Sequence, residues 1–233
     1  MEYIERLENE YRVEYLGPTE LKEKLAEKAI LYLPIGSIEW HNEHLPLGTD
    51  TFHGMVLCSE LCARLGGAVL PSYFWNTGCC HRSPVTFWTP EETYSNHLEA
   101  VVRGLLDFPA KLIVLVNGHG GDVQKQSVVE VCERLSADKS FGKKVIAADP
   151  YLLGTSSSCR IDHADTGETS VAMRLIPNLV RMERDITPDI QTNLKPFLNR
   201  GALPTYSGGD ELYRAFMEDA VELIEREYAA SVN

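Results

Sequence analysis

The sequence predicts an α/β protein with a mostly parallel central sheet. Short apolar runs alternate along the chain with amphipathic segments of about 12 to 18 residues, which is the pattern of strands joined by crossover helices. No internal repeat is present, and no linker rich in Gly, Ser or Pro divides the chain. Because 233 residues can bury a large core, we expect a single domain over residues 1–233.

In the first half of the chain, capping residues and apolar periodicity place four elements. Thr19 is a suitable N-cap for the first helix, and the pair Gly66-Gly67 is a suitable end for the second. The predicted elements are a helix from Thr19 to about Ala26, a strand over 29–33, a helix capped by Asp50 or Thr51 that ends at Leu65, and a strand over 68–73.

The second half continues the alternation. Thr89, Pro90 and Glu92 suit the N-cap, first and third positions of a helix, and so predict a capping box. The elements are a helix from Thr89 to about Asp107, a strand over 111–116, a helix through Val128 and Leu135, a strand over 144–148, a helix that Pro177 ends, and a last helix from its cap Asp210 to about Ala229.

Composition limits the classes of function. A net charge of −12 disfavours nucleic acid as a partner, because phosphate backbones select surfaces rich in Lys and Arg. No apolar run approaches the roughly 18 residues of a membrane helix, and the N-terminus lacks the pattern of a signal peptide. We therefore expect a cytoplasmic protein without a membrane partner, whose six cysteines are reduced.

An acidic, histidine-containing loop follows the first predicted strand. Within twelve positions it contains Glu39, His41, Glu43, His44 and Asp50. Burying so many unpaired charges would cost several kcal/mol each, so a core element is excluded. Neutral imidazole and carboxylate together are the ligand set of zinc, manganese and iron(II), and the loop therefore predicts a metal site.

Two further polar clusters also follow predicted strands. They span residues 117–122 and 162–170, and in parallel sheets function collects at the carboxyl ends of the strands. The candidate metal ligands from the three clusters are Glu39, His41, Asp50, His119 and Glu168. Asp50 is the natural bridge between two ions roughly 3.5–4 Å apart, which together can activate a hydroxide and polarise a substrate oxygen.

His163 is the candidate general acid or base, because an imidazole with a near-neutral pKa can protonate a leaving nitrogen. Ligation of a metal and capping of a helix are the alternative roles for this side chain. Trp88 is a candidate wall for a flat substrate, although a tryptophan in a large core is the commoner case.

These motifs together resemble the creatininase (creatinine amidohydrolase) family. The resemblance rests on residues 36–50, 117–121 and 163–170, whose order extends over nearly the whole chain. It implies a three-layer α/β/α fold, two divalent metal ions (zinc, manganese or iron), hydrolysis of a non-peptide or cyclic C–N bond in a small molecule, and a homo-oligomer, with a hexamer as one form. Residue by residue, the positions that match metal ligands are Glu39, His41, Asp50 and His119, and His163 matches the residue that acts in ring opening.

The sequence departs from creatininase itself at several positions. Creatininase has a carboxylate ligand two residues after the loop histidine, whereas this chain has Gly121, so Glu168 is the candidate to complete the second metal site. Arg82 and the neighbouring His81 replace a more acidic pattern, and Arg82 could hold an anionic group of the substrate. We therefore group Arg82, His81 and Trp88 as candidate substrate-binding residues.

The leading hypothesis is a metal-dependent amidohydrolase that cleaves a cyclic amide or formamide with a metal-bound hydroxide. A metallopeptidase that trims a peptide end is the first alternative, and a catalytically silent metal-binding assembly protein is the second. Nucleotide binding ranks last, because no Gly-x-Gly-x-x-Gly turn follows the first strand.

Overall fold

Four parallel strands form the centre of the fold in the computed structural model, which describes residues 10–78, 85–154, 161–184 and 203–232. The strands are β1 (Ile30–Ile35), β2 (Ala68–Val69), β3 (Leu112–Asn117) and β4 (Lys144–Ala148), in the spatial order β2-β1-β3-β4. The helices are α1 (Pro18–Glu27), α2 (Thr49–Leu65), α3 (Glu91–Arg103), α4 (Asp122–Ala137), α5 (Thr166–Leu175) and α6 (Tyr206–Val232). Short 3₁₀ turns lie at Val13–Tyr15 and Pro177–Leu179.

Both faces of the sheet are covered, which explains why its strands are continuous apolar runs. Alternate residues of β1 point to opposite faces: Tyr32 packs in one core cluster, and Leu31 and Leu33 pack in the other. Helices α1, α3 and α4 supply the apolar side chains against one face, and α2, α5 and α6 cover the opposite face. The predicted α/β class and the three-layer arrangement are therefore confirmed.

Several element boundaries differ from the prediction. β2 ends at Val69 because the chain beyond it makes only an isolated bridge, between Tyr73 and Ile35. The predicted capping box before α3 does not form. The Thr89 hydroxyl donates instead to the Asn76 carbonyl, so α3 begins after Pro90 and ends at Arg103.

The N-cap predictions for α1, α2 and α6 were also wrong. α1 begins at Pro18, and its N-cap is Gly17 rather than Thr19. α2 begins at Thr49, with Asp50 in its first turn rather than at the cap. α6 begins at Tyr206, where the Thr205 hydroxyl accepts from the Gly208 amide at 3.1 Å, and Asp210 pairs with Arg174 instead. In α2 and α6 the acidic side chain has a stronger partner elsewhere. Among the described helices, none is long and apolar enough to cross a membrane.

Candidate metal centre

The three polar clusters meet at the carboxyl edge of the sheet, with the first turn of α2 wedged between the ends of β1 and β3. Two glycines permit this approach. A Cβ on Gly36 would lie 2.3 Å from the Thr51 Cα, and a Cβ on Gly118 would lie 2.1 Å from the Asp50 carbonyl oxygen. Any larger residue at either position would push α2 away, so the glycines place Asp50 at the centre of the edge.

Asp50 uses each of its carboxylate oxygens toward a different histidine. Its Oδ1 lies 3.0 Å from His41 Nε2, and its Oδ2 lies 2.8 Å from His119 Nδ1. The Ser37 hydroxyl donates to Oδ2 at 2.5 Å and fixes the rotation of the carboxylate. The side chain is thus oriented to share its two oxygens between two neighbouring positions.

All five predicted ligands come together around this carboxylate. One group of donor atoms within 4.8 Å of one another comes from Glu39, Asp50 and His119, and a second comes from His41, Asp50 and Glu168. Asp50 belongs to both groups. The five side chains therefore form two groups of donor atoms that share Asp50, and Glu168 belongs to the second group.

Glu39 supplies the strongest sign that the cluster is built for a cation. Its side chain is 0% exposed, and among the described residues neither carboxylate oxygen has a hydrogen-bond partner. The nearest charged partner is His119, whose Nδ1 lies 3.2 Å from Oε2. Since a buried carboxylate without hydrogen bonds costs several kcal/mol, a divalent ion that it can coordinate fits this residue well.

The electrostatics of the cluster favour charged forms in spite of burial. Burial lowers the pKa of His41, but Asp50 and Glu168 outweigh it and raise that pKa well above its ordinary value. Burial raises the pKa of Asp50, but His41 and His119 outweigh it and hold that pKa well below its ordinary value. A divalent ion can therefore replace imidazole protons as the counter-charge of these carboxylates.

Glu168 is held in place from three sides. The Ala164 amide donates to its Oε2 at 2.5 Å, and the Tyr151 hydroxyl lies 3.2 Å from its Oε1. Asp165 is the N-cap of α5 and accepts from the backbone amides of Gly167 and Glu168. Because the carboxylate sits in the first turn of a capped helix, its position is fixed by backbone rather than by a mobile loop.

A buried amide network supports the loop that contains His119. Asn117 Nδ2 donates to the His119 carbonyl and to Asp149 Oδ2, both at 2.8 Å, and Gln124 Nε2 donates to Asn117 Oδ1 at 3.0 Å. Burial raises the pKa of Asp149 to about 6, although the hydrogen bonds from Asn117 and the Tyr151 amide oppose the shift. The network ties α4 and the end of β4 to the turn that orients the His119 ring.

His163 lies beside the predicted metal ligands and has a defined tautomer. Its Nε2 is 2.7 Å from the Trp40 carbonyl oxygen, which can only accept, so Nε2 carries the proton. Its ring centroid is 4.5 Å from that of His41, and it shares a third group of donor atoms with Glu39 and His41. Burial, together with His41, lowers the pKa of His163, which keeps the imidazole neutral.

A cleft of about 440 Å³ opens over the cluster, within the range of small-molecule sites. Two of its lining residues, Tyr151 and Lys125, were not predicted from the sequence. Tyr151 follows a strand end, as the other site residues do, and that position was the available signal. Nothing in the sequence distinguishes Lys125 as a site residue, because a lysine on a helix is ordinarily solvated.

The predicted substrate-binding residues are less well placed by the structure. His81 and Arg82 lie outside the described residues. Trp88 is 40% exposed and is not among the residues that line the cleft. His44 is buried, and its Nε2 lies 2.8 Å from the Thr169 hydroxyl, next to Glu168 in α5.

The fold and the cluster define an α/β protein with a buried carboxylate–imidazole site at the carboxyl edge of a parallel sheet. The family model described as creatininase (creatinine amidohydrolase) matches residues 14–222. The chain therefore belongs to the creatininase family, whose amidohydrolases are hydrolases that act on carbon–nitrogen bonds other than peptide bonds.

The relatives of this chain carry several different activities in their names. It is 24% identical to creatinine amidohydrolase from Pseudomonas putida over 181 aligned residues. The aligned region covers 68% of this chain and 69% of that protein. Identity to 3-dehydro-scyllo-inosose hydrolase from Thermotoga maritima is 23%, over 84% of this chain and 64% of the relative. Identity to mycofactocin precursor peptide peptidase from Mycobacterium ulcerans is 27%, over 76% of this chain and 71% of the relative.

Solved structures show the same fold. A crystal structure of creatinine amidohydrolase superposes with a TM-score of 0.76 at 19% identity, over 94% of this chain and 98% of the other. A variant creatininase of Zn–Zn type superposes with a TM-score of 0.70 at 20% identity, over 93% of this chain and 98% of the other. A creatininase described with Mn superposes with a TM-score of 0.70 at 19% identity, over 94% of this chain and 98% of the other.

Proposed function

We propose that this protein is a metal-dependent amidohydrolase that cleaves a C–N bond in a small cyclic amide or formamide. The observation that carries the proposal is the sharing of Asp50 between two groups of donor atoms, one with Glu39 and His119 and one with His41 and Glu168. The Zn–Zn and Mn forms of structurally similar creatininases support two divalent ions, of which zinc, manganese and iron are the candidates.

In this proposal, one set of residues holds the ions and another residue transfers protons. Glu39, His119 and Asp50 would hold one ion, and His41, Glu168 and Asp50 would hold the other. When bound, such a pair lowers the pKa of water to near neutrality and polarises the scissile carbonyl. Tyr151 and the Ala164 amide keep Glu168 oriented, and the Asn117 network keeps the His119 loop in place.

His163 is suited to transfer the proton to the leaving nitrogen. Its Nε2–H is committed to the Trp40 carbonyl, so the lone pair of the neutral ring is on Nδ1. Nδ1 can take a proton released from the attacking water and return it to the amine nitrogen as the C–N bond breaks. The depressed pKa of the ring favours this return, because the protonated form gives up its proton readily.

Hydrolysis of a panel of cyclic amides and N-formyl compounds tests the proposal. We expect zinc- or manganese-loaded protein to release amine from at least one compound class, and His163→Gln to lower kcat by about 10²–10⁴-fold with its metal retained. His97→Gln is the matched control, because His97 lies on α3 and contacts Tyr73 away from the cluster. A fully metallated protein that is inactive on the whole panel would refute the proposed function.

A peptidase is the second candidate, favoured by the 27% identity to a mycofactocin precursor peptide peptidase. The chemistry of the metal cluster would be the same, since both reactions hydrolyse an amide. Release of a terminal residue from synthetic peptides, with no turnover of cyclic amides or formamides, would select this candidate over the first.

The assembly and location of the protein are part of the proposal. We propose a cytoplasmic homo-oligomer that acts on a small molecule, with a hexamer as the specific expectation from the family resemblance. Sedimentation velocity of the purified protein measures the mass of the assembly directly, and a monomer of 26.1 kDa at micromolar concentration would contradict this expectation.

A further inference from the structure

The cleft over the metal cluster has one basic side chain among several acidic ones. Asp50 and Glu168 lie at the cluster, and Asp122 and Asp162 also line the cleft. Among the described residues that line the cleft, Lys125 is the only lysine or arginine. In a chain with a net charge of −12, a single cation inside the cleft has a strong influence on which substrates bind there.

Lys125 is placed by its neighbours rather than loose in solvent. Its side chain is 19% exposed, and its Nζ lies 5.7 Å from the centroid of the Tyr151 ring, whose hydroxyl contacts Glu168. Nζ also pairs with Asp122 at 2.8 Å, but that carboxylate is 96% exposed. Because that carboxylate stays in water, the pair contributes little to stability, and another carboxylate can replace Asp122 at small cost.

The start of α4 places the positive end of a helix dipole at the same wall, beside the exposed Asp122 carboxylate. The helix begins at Asp122, and its N-cap, Gly121, provides no side-chain cap for the first amide groups. His119 Nε2 faces this helix end, because a Cβ on Gly121 would lie 2.6 Å from it. This nitrogen is buried without a hydrogen-bond partner among the described residues, and it carries a proton whenever Nδ1 binds a metal.

We infer that the substrate carries a carboxylate close to its scissile amide, and that Lys125 and the N-terminus of α4 bind this group. The inference rests on the proposed function, since the amide must lie at the metal cluster while the carboxylate lies at the opposite wall. Lys125 is then a specificity-determining residue: it selects anionic amides over neutral ones without taking part in bond cleavage.

Calorimetric binding of 5-oxoproline and its neutral carboxamide to metal-loaded protein tests the inference, since the two probes differ only in the charged group. We expect 5-oxoproline to bind about tenfold more tightly and Lys125→Met to abolish that preference, because one ion pair is lost. Lys125→Arg and Asp122→Asn should keep the preference. Lys139→Met removes an exposed lysine just beyond α4 and is the matched control.

An unchanged preference in Lys125→Met, or an equal loss of both probes, would overturn the inference. A carboxylate that bound only to the metal ions would give the first of these results. Metal content and hydrolysis of neutral amides, measured on the same samples, report separately on the proposed function. If metal content and hydrolysis are normal but the charged probe is not preferred, the carboxylate site is contradicted and the proposed function is not.

Discussion

The imidazole of His119 occupies the space that a side chain at position 121 would need. A Cβ on Gly121 would lie 2.6 Å from His119 Nε2 and 2.6 Å from the Gly78 carbonyl oxygen. A carboxylate side chain at position 121 is therefore excluded while His119 keeps its orientation. Glu168, which reaches the cluster from α5, supplies a carboxylate instead.

Gly121→Ala tests this packing directly. We expect the added methyl to displace the His119 ring, weaken metal binding at least tenfold and lower stability by about 1–3 kcal/mol. Gly104→Ala is the control, because Gly104 has right-handed helical backbone angles that alanine adopts readily. Metal titration and thermal unfolding of both variants give the answer. Normal metal affinity in Gly121→Ala would show that the ring has another position open to it.

Tyr151→Phe tests whether the phenol orients Glu168. Loss of the hydroxyl removes its contact with Glu168 Oε1, and removal of such an outer hydrogen bond typically weakens metal binding by about 10–100-fold. The ring remains, so thermal stability of the metal-free protein should change little. Tyr15→Phe, at a tyrosine that is 60% exposed, controls for loss of a phenol. Unchanged metal affinity in Tyr151→Phe would show that the hydroxyl, which also lies 3.3 Å from the Gly118 carbonyl oxygen, is not needed to orient Glu168.

Asp149 should titrate unusually high in the metal-free protein. Its pKa is raised to about 6 from an ordinary value of 3.8, chiefly by burial. A carboxyl whose pKa is higher in the folded state favours folding when protonated, so this contribution to stability declines as the pH rises from about 4 to about 6. Carbon-13 NMR titration of the aspartate carboxyls measures the midpoint.

Asp138 serves as an internal reference in the same spectrum. Hydrogen bonds from Ser140 and Arg103 lower the pKa of this exposed carboxyl to about 2. The two midpoints should therefore differ by several pH units. A midpoint below 4 for Asp149 would mean that the donors Asn117 and the Tyr151 amide outweigh burial.

Metal removal should destabilise the fold. Without ions, Glu39 is a buried carboxylate that accepts no hydrogen bond from any described residue, and Asp50 and Glu168 depend on protonated histidines. Zinc at about 100 times its Kd should raise Tm by about 5–10 °C over chelator-treated protein. Differential scanning calorimetry measures the shift. Equal Tm values with and without zinc, at a concentration that saturates binding, would contradict this expectation.

The strands and the residues of the buried carboxylate–imidazole cluster were predictable from sequence because their signals are local. A strand buried on both faces is an apolar run, and the cluster 39–50 mixes His and carboxylate as few other loops do. Helix starts were less predictable because acidic residues have competing partners. Asp50 sits inside α2 facing His41 and His119, and Asp210 sits inside α6 facing Arg174.

The roles of Tyr151 and Lys125 depend on tertiary contacts that no local pattern encodes. Tyr151 meets Glu168 across the gap between β4 and α5, and Lys125 meets the Tyr151 ring from α4. Likewise, the shortening of β2 depends on which residues continue to pair with β1, since Tyr73 makes only an isolated bridge to Ile35. The sequence indicates that Tyr151 follows a strand and that Lys125 lies on a helix, but it does not indicate which residues they contact.

The central claim is that Asp50 is shared by two metal ions, and the metal content per chain tests it most directly. Protein purified without chelator and analysed for zinc, manganese and iron should contain about two ions per chain. Asp50→Asn should contain well under one, and Glu168→Gln about one, while the exposed-site control Asp107→Asn should match wild type. One ion per chain in wild type, unchanged by Asp50→Asn, would contradict the shared site.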